Sequence, residues 1–136
     1  MSSWSLNEDP KRLLFVLSRY KFVAKMLAGR KHVLEVGCAD AFGTRLVAQT
    51  VDKVTAIDFD RDFVESAREV MSKDWPFTVR EHDMLDGPVE GVFDGLYSMD
   101  VLEHIDKNNE DRFIQNMIQP LKEDGVAVIG IPSLES

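Results

Sequence analysis

Residues 33–43 read Val-Leu-Glu-Val-Gly-Cys-Ala-Asp-Ala-Phe-Gly, an apolar run followed by a turn of small residues. The apolar run fits a parallel strand that helices cover on both faces. Gly37, Ala39 and Ala41 are small enough for a ligand to approach the backbone closely. Asp58 closes the next predicted strand. A strand, turn and helix followed by an acidic strand end is the arrangement with which an α/β sheet holds a nucleoside.

Charge in and around this turn narrows the class of nucleoside. Glu35 and Asp40 lie in the turn region, and Asp58, Asp83 and Asp100 follow at the predicted ends of later strands. A dinucleotide site binds pyrophosphate on backbone N–H groups, and these carboxylates would repel it. Coulomb attraction instead favours a cationic nucleoside without phosphate. S-adenosylmethionine (SAM), a sulfonium with an added ammonium, is the candidate.

Apolar periodicity along the rest of the chain predicts alternating helices and strands. Asp9 and Pro10 can start a first helix, and Gly29 can end it in a left-handed turn. Strands are predicted at residues 33–36, 54–57, 77–80, 93–99 and 126–131, with helices between them except at residues 83–92, which are predicted as loop. This alternation implies a parallel sheet with right-handed crossovers and helices on both faces.

Three local predictions accompany this layout. The helix at residues 43–49 precedes the second strand, and Asp60 is expected to cap the helix after that strand. The helix that Asp60 caps is predicted to have an apolar face of Phe63, Val64, Ala67, Val70 and Met71. The last helix is expected to be capped by Asn108 or Asn109. A turn at residues 123–125 is expected to lead into the fifth strand.

Four segments carry short motifs in a fixed order. They are a glycine-rich turn at residues 33–41, acidic strand ends at 56–59 and 81–84, and Tyr-Ser-Met-Asp-Val-Leu-Glu-His-Ile at 97–105. In this order and at these spacings they resemble the motifs of class I, Rossmann-like SAM-dependent methyltransferases, over residues 33–132. The resemblance implies a single α/β domain over residues 1–136. Its fold would be a three-layer α/β/α sandwich with a mainly parallel sheet and the strand order 3-2-1-4-5.

The first motif resembles the segment that holds the methionine part of SAM. Gly37 would allow the tight turn, and Cys38 and Ala39 would follow it against the ligand. Glu35 would contact the ligand amino group or its bound water, or alternatively a loop N–H group. Ala39 and Ala41 stand where the family often has glycine, and we expect ordinary backbone angles for them.

The later motifs resemble the segments that hold the ribose and the adenine. Asp58 would accept hydrogen bonds from the ribose hydroxyls, with Phe59 packed against the adenine. Asp83 would accept a hydrogen bond from the adenine amine, with the Met84 backbone at the ring edge. Further candidates are Ser98 and Met99 through their backbone, and Arg19 and Tyr20 of the first helix, which could reach the ligand carboxylate if residues 1–30 form a lid.

The predicted chemistry is methyl transfer from SAM to a small-molecule acceptor, with S-adenosylhomocysteine (SAH) as product. Holding the acceptor and the activated methyl group in line can supply much of the rate. His104 could act as a general base, or only shape the pocket. No metal is expected. Two alternatives stay open, a SAM- or SAH-binding module without turnover and a nicotinamide-dependent oxidoreductase.

Composition limits the partners. The 136 residues are 44% hydrophobic and 29% charged, which is typical of a single globular domain. A net charge of −8 without any basic run argues against nucleic acid as a partner. The one cysteine, Cys38, excludes an internal disulfide and agrees with a cytoplasmic location. No apolar run reaches membrane-spanning length, so no membrane partner is expected.

The fifth predicted strand, residues 126–131, is an apolar run near the end of the sequence. The resemblance implies two further strands, which this chain lacks, so the fifth strand is expected to form an exposed sheet edge. Natural proteins avoid such edges because they recruit other strands. We therefore expect either a chain shortened at its C-terminus relative to the family or a homodimer that covers this edge.

Overall fold

Residues 9–133, the part of the chain that the computed structural model describes, form a five-stranded sheet with helices on both faces. The helices are α1 (Pro10–Met26), α2 (Thr44–Ala48), α3 (Arg61–Glu69) and α4 (Lys107–Ile118), with a 3₁₀ turn at Leu102–His104. The strands are β1 (His32–Val36), β2 (Lys53–Asp58), β3 (Thr78–Glu81), β4 (Phe93–Met99) and β5 (Leu121–Gly130). Every strand pair is parallel and the order is β3-β2-β1-β4-β5, which confirms the predicted fold.

The first helix begins and ends where its sequence signals predict. One Asp9 carboxylate oxygen accepts hydrogen bonds from the backbone N–H groups of Lys11 and Arg12, both at 3.1 Å. Pro10 occupies the first helical position, where its missing N–H group costs nothing. Gly29 has a φ of 82°, which is the left-handed angle expected after a helix end.

The apolar core lies in two layers on either side of β1. On one face, α1 and α2 pack on Val33 and Val54, and α3 packs on Ala56. On the other face, α4 and the loop after β3 pack on Leu34 and Ile57. Because β1 is covered on both faces, nearly all of its side chains are buried, as the apolar run predicts.

Three local predictions differ from the structure. The predicted turn at residues 123–125 lies inside β5, where the pairing shifts register: Phe93 pairs with Leu121, and Gly95 with Val126. The turn-forming residues therefore make a bulge rather than a connection. The last helix begins before both predicted caps, with Asp106 at the N-cap position.

The third difference concerns the apolar face of α3. Only Val64 and Ala67 are buried in this helix, whereas Phe63 and Val70 are exposed. Phe63 lies on the wall of the cavity described below, and Val70 follows the last helical residue. The helix therefore ends before Val70, and Phe63 faces the cavity instead of the core.

The β5 edge carries exposed apolar side chains, including Ile129 and, just after the strand, Ile131. No strand among residues 9–133 pairs with this edge. Within the same residues, no helix has both the length and the apolarity needed to cross a bilayer.

Candidate functional site

A cavity of about 1010 Å³ opens at the carboxyl ends of β1, β2 and β4. From β1 the sheet continues to β2 and β3 on one side and to β4 and β5 on the other. Open α/β sheets bind ligands in the crevice at such a reversal of strand order. The N-terminal half of α1, the loop after β3 and the turn after β4 complete the wall.

The turn after β1 is held tightly to the end of β2. The backbone N–H groups of Gly37 and Cys38 both donate to the Ile57 carbonyl oxygen at 2.9 Å. Gly37 has a φ of 79°, and a Cβ atom there would overlap the side chain of Val101. Both observations require glycine at this position.

Ala39 and Ala41 adopt left-handed backbone angles, with φ of 49° and 60°. The expectation of ordinary angles at these two alanines was therefore wrong. The chain must reverse from β1 into α2 within a few residues, and the Ala41 N–H group closes this turn on the Cys38 carbonyl oxygen at 2.8 Å. An L-residue in this conformation costs about 1–2 kcal/mol.

Asp58 lies at the end of β2 with its carboxylate facing the same turn. One oxygen accepts from the Ala39 N–H group at 2.8 Å, and the other accepts from the Asp60 N–H group at 2.9 Å. Asp60, not Asp58, caps α3 by accepting from the Asp62 N–H group. Asp58 is only 7% exposed yet lines the cavity, and each of its oxygens can accept a further hydrogen bond.

The segment after β3 supplies the next part of the wall. Asp83 and Met84 both line the cavity, with Met84 buried and Asp83 exposed. One oxygen of Asp83 accepts from the Leu85 N–H group at 2.9 Å, which fixes the turn. Phe59 projects from the end of β2 with 74% of its surface exposed, so its ring is free to cover a ligand.

Glu35 and Ser98 lie under the site rather than on the cavity wall. The Thr44 hydroxyl donates to the Glu35 carboxylate, which is buried beside the Tyr97 hydroxyl. Burial raises the pKa of Glu35 to about 7, although the Thr44 hydrogen bond opposes this shift. The Ser98 hydroxyl donates to the Val36 carbonyl oxygen at 3.0 Å. Contact of either residue with a cofactor stays a prediction.

The second half of α1 is fixed over the ends of β4 and β5. The Arg19 Nη1 atom lies 2.8 and 2.7 Å from the two carboxylate oxygens of Asp100, whose own φ is 59°. The Tyr20 ring packs edge-on against Tyr97, with 6.4 Å between the ring centroids. Burial raises the pKa of Tyr20. Arg19, Tyr20 and Met99 all line the cavity.

His104 lies at the end of the 3₁₀ turn that follows β4. It also lines the cavity, while its side chain remains largely exposed. Its Nε2 atom is 3.7 Å from a carboxylate oxygen of Glu103. The ring therefore borders both the cavity and solvent.

Comparison with known proteins adds to this geometry. The family described as "Methyltransferase domain" matches residues 33–125, which is more than half of the chain. The chain belongs to this family. A probable S-adenosylmethionine-dependent methyltransferase from Mycolicibacterium smegmatis is 25% identical over 115 residues, which cover 84% of this chain and 42% of that protein. A mitochondrial ubiquinone biosynthesis O-methyltransferase from Schizosaccharomyces pombe is 27% identical over 139 residues. That match covers 93% of this chain and 50% of that protein.

Solved structures agree with the methyltransferase fold. The N-methyltransferase NodS from Bradyrhizobium japonicum, in complex with SAH, matches with a TM-score of 0.79 at 23% identity. The match covers 93% of this chain and 64% of that one. The chain spans half or less of the length of the curated relatives described above.

Several residues that line the cavity of this methyltransferase domain were not predicted as site residues from the sequence. They are Arg12, Phe15, Val16, Phe42, Phe63, His82, Leu85, Val101, Ile105, Phe113 and Pro132. A usable signal existed in α1, where Arg12, Phe15 and Arg19 recur at helical spacing. Periodicity shows that these residues share a face, but not whether that face meets a core or a cavity.

Proposed function

We propose that this domain binds SAM at the strand ends and transfers its methyl group to a small-molecule acceptor. The proposal is carried by Asp58, a buried carboxylate on the cavity wall whose two oxygens hold the turn and keep capacity for ligand hydroxyls. Membership of the methyltransferase-domain family supports it, as do relatives named as SAM-dependent methyltransferases.

The donor groups in the cavity fit SAM better than a dinucleotide. Asp40, Asp58 and Asp83 line the half of the cavity next to β1, β2 and β3. Among the described residues, no lysine or arginine from these segments lines that half. Carboxylates without cations attract a sulfonium and an ammonium and repel a pyrophosphate. This argues against the nicotinamide-dependent alternative.

The side chains divide the work of holding the nucleoside. Asp58 accepts from the ribose hydroxyls, and Phe59 covers the adenine. Asp83 and the Met84 backbone recognise the edge of the base. The turn at residues 37–39 accommodates the methionine part, because all three of its residues line the cavity and are small.

Bound SAM supplies an already activated methyl group, so the protein needs little acid or base chemistry. Its own task is to hold the acceptor in line and to exclude water. The helix α1, part of the proposed lid of residues 1–30, lies over the strand ends and can perform the second task. His104 accepts the proton of a hydroxyl acceptor.

The size of the cavity is compatible with a cofactor and an acceptor bound together. Pockets for one drug-sized ligand measure about 300–1,000 Å³. The cavity here, about 1010 Å³, lies at the top of that range and leaves space beside the nucleoside for an acceptor.

The test is to incubate the protein with SAM and a panel of small phenols, amines and carboxylic acids, and to measure SAH. We expect at least one acceptor to increase the rate of SAH formation above the rate with SAM alone. Asp58→Asn should lower this rate. SAH binding without release on any acceptor would contradict methyl transfer and favour a binding module.

The same proposal includes a homodimer and a cytoplasmic location. Ile129 and Ile131 are exposed on the unpaired edge of β5, which a second copy could cover. Light scattering after size exclusion should give twice the monomer mass, and Ile129→Lys should give the monomer. A wild-type monomer would contradict the dimer. The buried, free thiol of Cys38 is compatible with a reducing compartment.

A further inference from the structure

The cavity wall divides into an acidic half and an apolar, cationic half. Asp40, Asp58 and Asp83 belong to the segments after β1, β2 and β3, as described above. The opposite half lies at β4 and β5, where α1 is fixed by the pair of Arg19 and Asp100. Its apolar wall residues are Phe15, Val16, Ile105 and Pro132.

Arg12 is the cation of this half for which no carboxylate partner is found among residues 9–133. The ion pairs among residues 9–133 join Arg19 to Asp100, Arg61 to Glu81 and His104 to Glu103, and none includes Arg12. Arg19 is neutralised by both oxygens of Asp100. Within the part of the chain that the structure describes, Arg12 therefore contributes a positive charge to the wall that no carboxylate neutralises.

Its position in the helix makes this charge unfavourable for folding. The first turn of α1 contains Lys11 and Arg12 and no acidic residue, although cations are disfavoured at a helix N-terminus. Asp9 already binds the N–H groups of this end, so the helix end itself offers no free donors there. Residues that are unfavourable for local stability are found preferentially at functional sites.

The same helical face brings this charge next to apolar surface. Phe15, Val16 and Arg19 follow Arg12 by three, four and seven residues, so all four lie on one side of α1 and line the cavity. A ligand in this half would meet a ring and a branched aliphatic chain with one guanidinium beside them.

We propose that the acceptor is a small aromatic carboxylate, whose ring packs on Phe15 and Val16 and whose carboxylate is bound by Arg12. The proposal rests on the proposed function, since it fills the space beside the nucleoside. Guanidinium and carboxylate match in a paired, planar geometry. A phosphate dianion fits less well, because the other half of the cavity and the net charge of −8 repel it more strongly.

The test uses protein saturated with SAH and three probes of equal ring size: 2-naphthoate, 2-naphthamide and 2-naphthyl phosphate. Calorimetry should show that wild type binds the carboxylate about 10-fold more tightly than the amide, as expected for one charge-assisted contact. The phosphate should bind more weakly than the carboxylate. Arg12→Gln should remove the preference and leave the SAH affinity unchanged.

Lys11→Gln is the matched control, because it removes the same charge from the same helical turn without touching the cavity wall. It should keep the carboxylate preference. An amide that binds as tightly as the carboxylate, or an equal effect of the two substitutions, would overturn the proposal. So would a 10-fold loss of SAH affinity in Arg12→Gln, which would assign Arg12 to the cofactor. Failure of wild type to bind SAH would instead refute the proposed function.

Discussion

Replacing Ala39 by glycine is expected to stabilise the domain, whereas replacing Gly37 by alanine is expected to destabilise it strongly. Both residues lie in the turn after β1 and both have a positive φ, 49° for Ala39 and 79° for Gly37. Only glycine adopts such angles without steric cost. The two substitutions therefore test the same conformational argument in opposite directions.

The size of each effect follows from the geometry. Relief of left-handed strain at Ala39 raises the free energy of unfolding by about 1–2 kcal/mol. The greater conformational freedom of glycine in the unfolded chain lowers it by about 0.4–1 kcal/mol. We therefore expect a net gain of about 0–1.6 kcal/mol. At Ala41 the methyl group is buried, and its loss costs about 0.8 kcal/mol more, so that variant should remain close to wild type.

Gly37→Ala adds the strain and also a methyl group that overlaps Val101. Overpacking costs about 1–3 kcal/mol and the strain about 1–2 kcal/mol, while the stiffer unfolded chain returns about 0.4–1 kcal/mol, so the total loss should be about 1–4.6 kcal/mol. Urea unfolding followed by circular dichroism measures all three variants, compared at a common slope. A clear loss of stability in Ala39→Gly, or a neutral Gly37→Ala, would refute the assignment of left-handed angles to this turn.

Two further predictions concern buried and paired charges. Because burial raises the pKa of Glu35 to about 7, the folded state holds a proton that the unfolded state releases near its ordinary pKa of 4.5. Stability should fall as pH rises from 4.5 to 7, by on the order of 3 kcal/mol at most, and Glu35→Gln should flatten this slope in urea titrations at several pH values. If the pH dependence of stability in Glu35→Gln equals that of wild type, a group other than Glu35 takes up the proton on folding. Arg19→Gln and Asp100→Asn should show a coupling of about 1 kcal/mol in a double-mutant cycle, since both oxygens are bound but Asp100 is half exposed. Additive effects would show that the pair does not hold α1.

Local signals predicted the parts of the fold that depend on neighbours in sequence. Asp9, Pro10 and Gly29 determine where α1 starts and where its following turn lies, and β4 spans Phe93–Met99 as its apolar run predicts. Each of these rests on a pattern that a few adjacent residues carry. The strand order, by contrast, was implied by the resemblance to class I methyltransferases, and the structure confirms it.

The predictions were wrong where contacts between segments distant in sequence determine the local structure. Ala39 takes a left-handed angle in a turn whose position depends on Asp58, nineteen residues later, which binds the Ala39 N–H group. The exposed position of Phe63 depends on the cavity beside α3. The bulge in β5 is set by the register of β4. Propensity cannot report such contacts, so Arg12, Phe15 and Val16 on the cavity face of α1 were not predicted, whereas Arg19 and Tyr20 were.

The central claim is that the acidic cavity holds SAM through Asp58. Calorimetric titration of wild type and Asp58→Asn with SAH and with NAD tests it most directly. We expect SAH to bind wild type at one site, NAD not to bind, and Asp58→Asn to weaken SAH binding about 10-fold or more. Binding of NAD without SAH, or an unchanged SAH affinity in a folded Asp58→Asn variant, would contradict it.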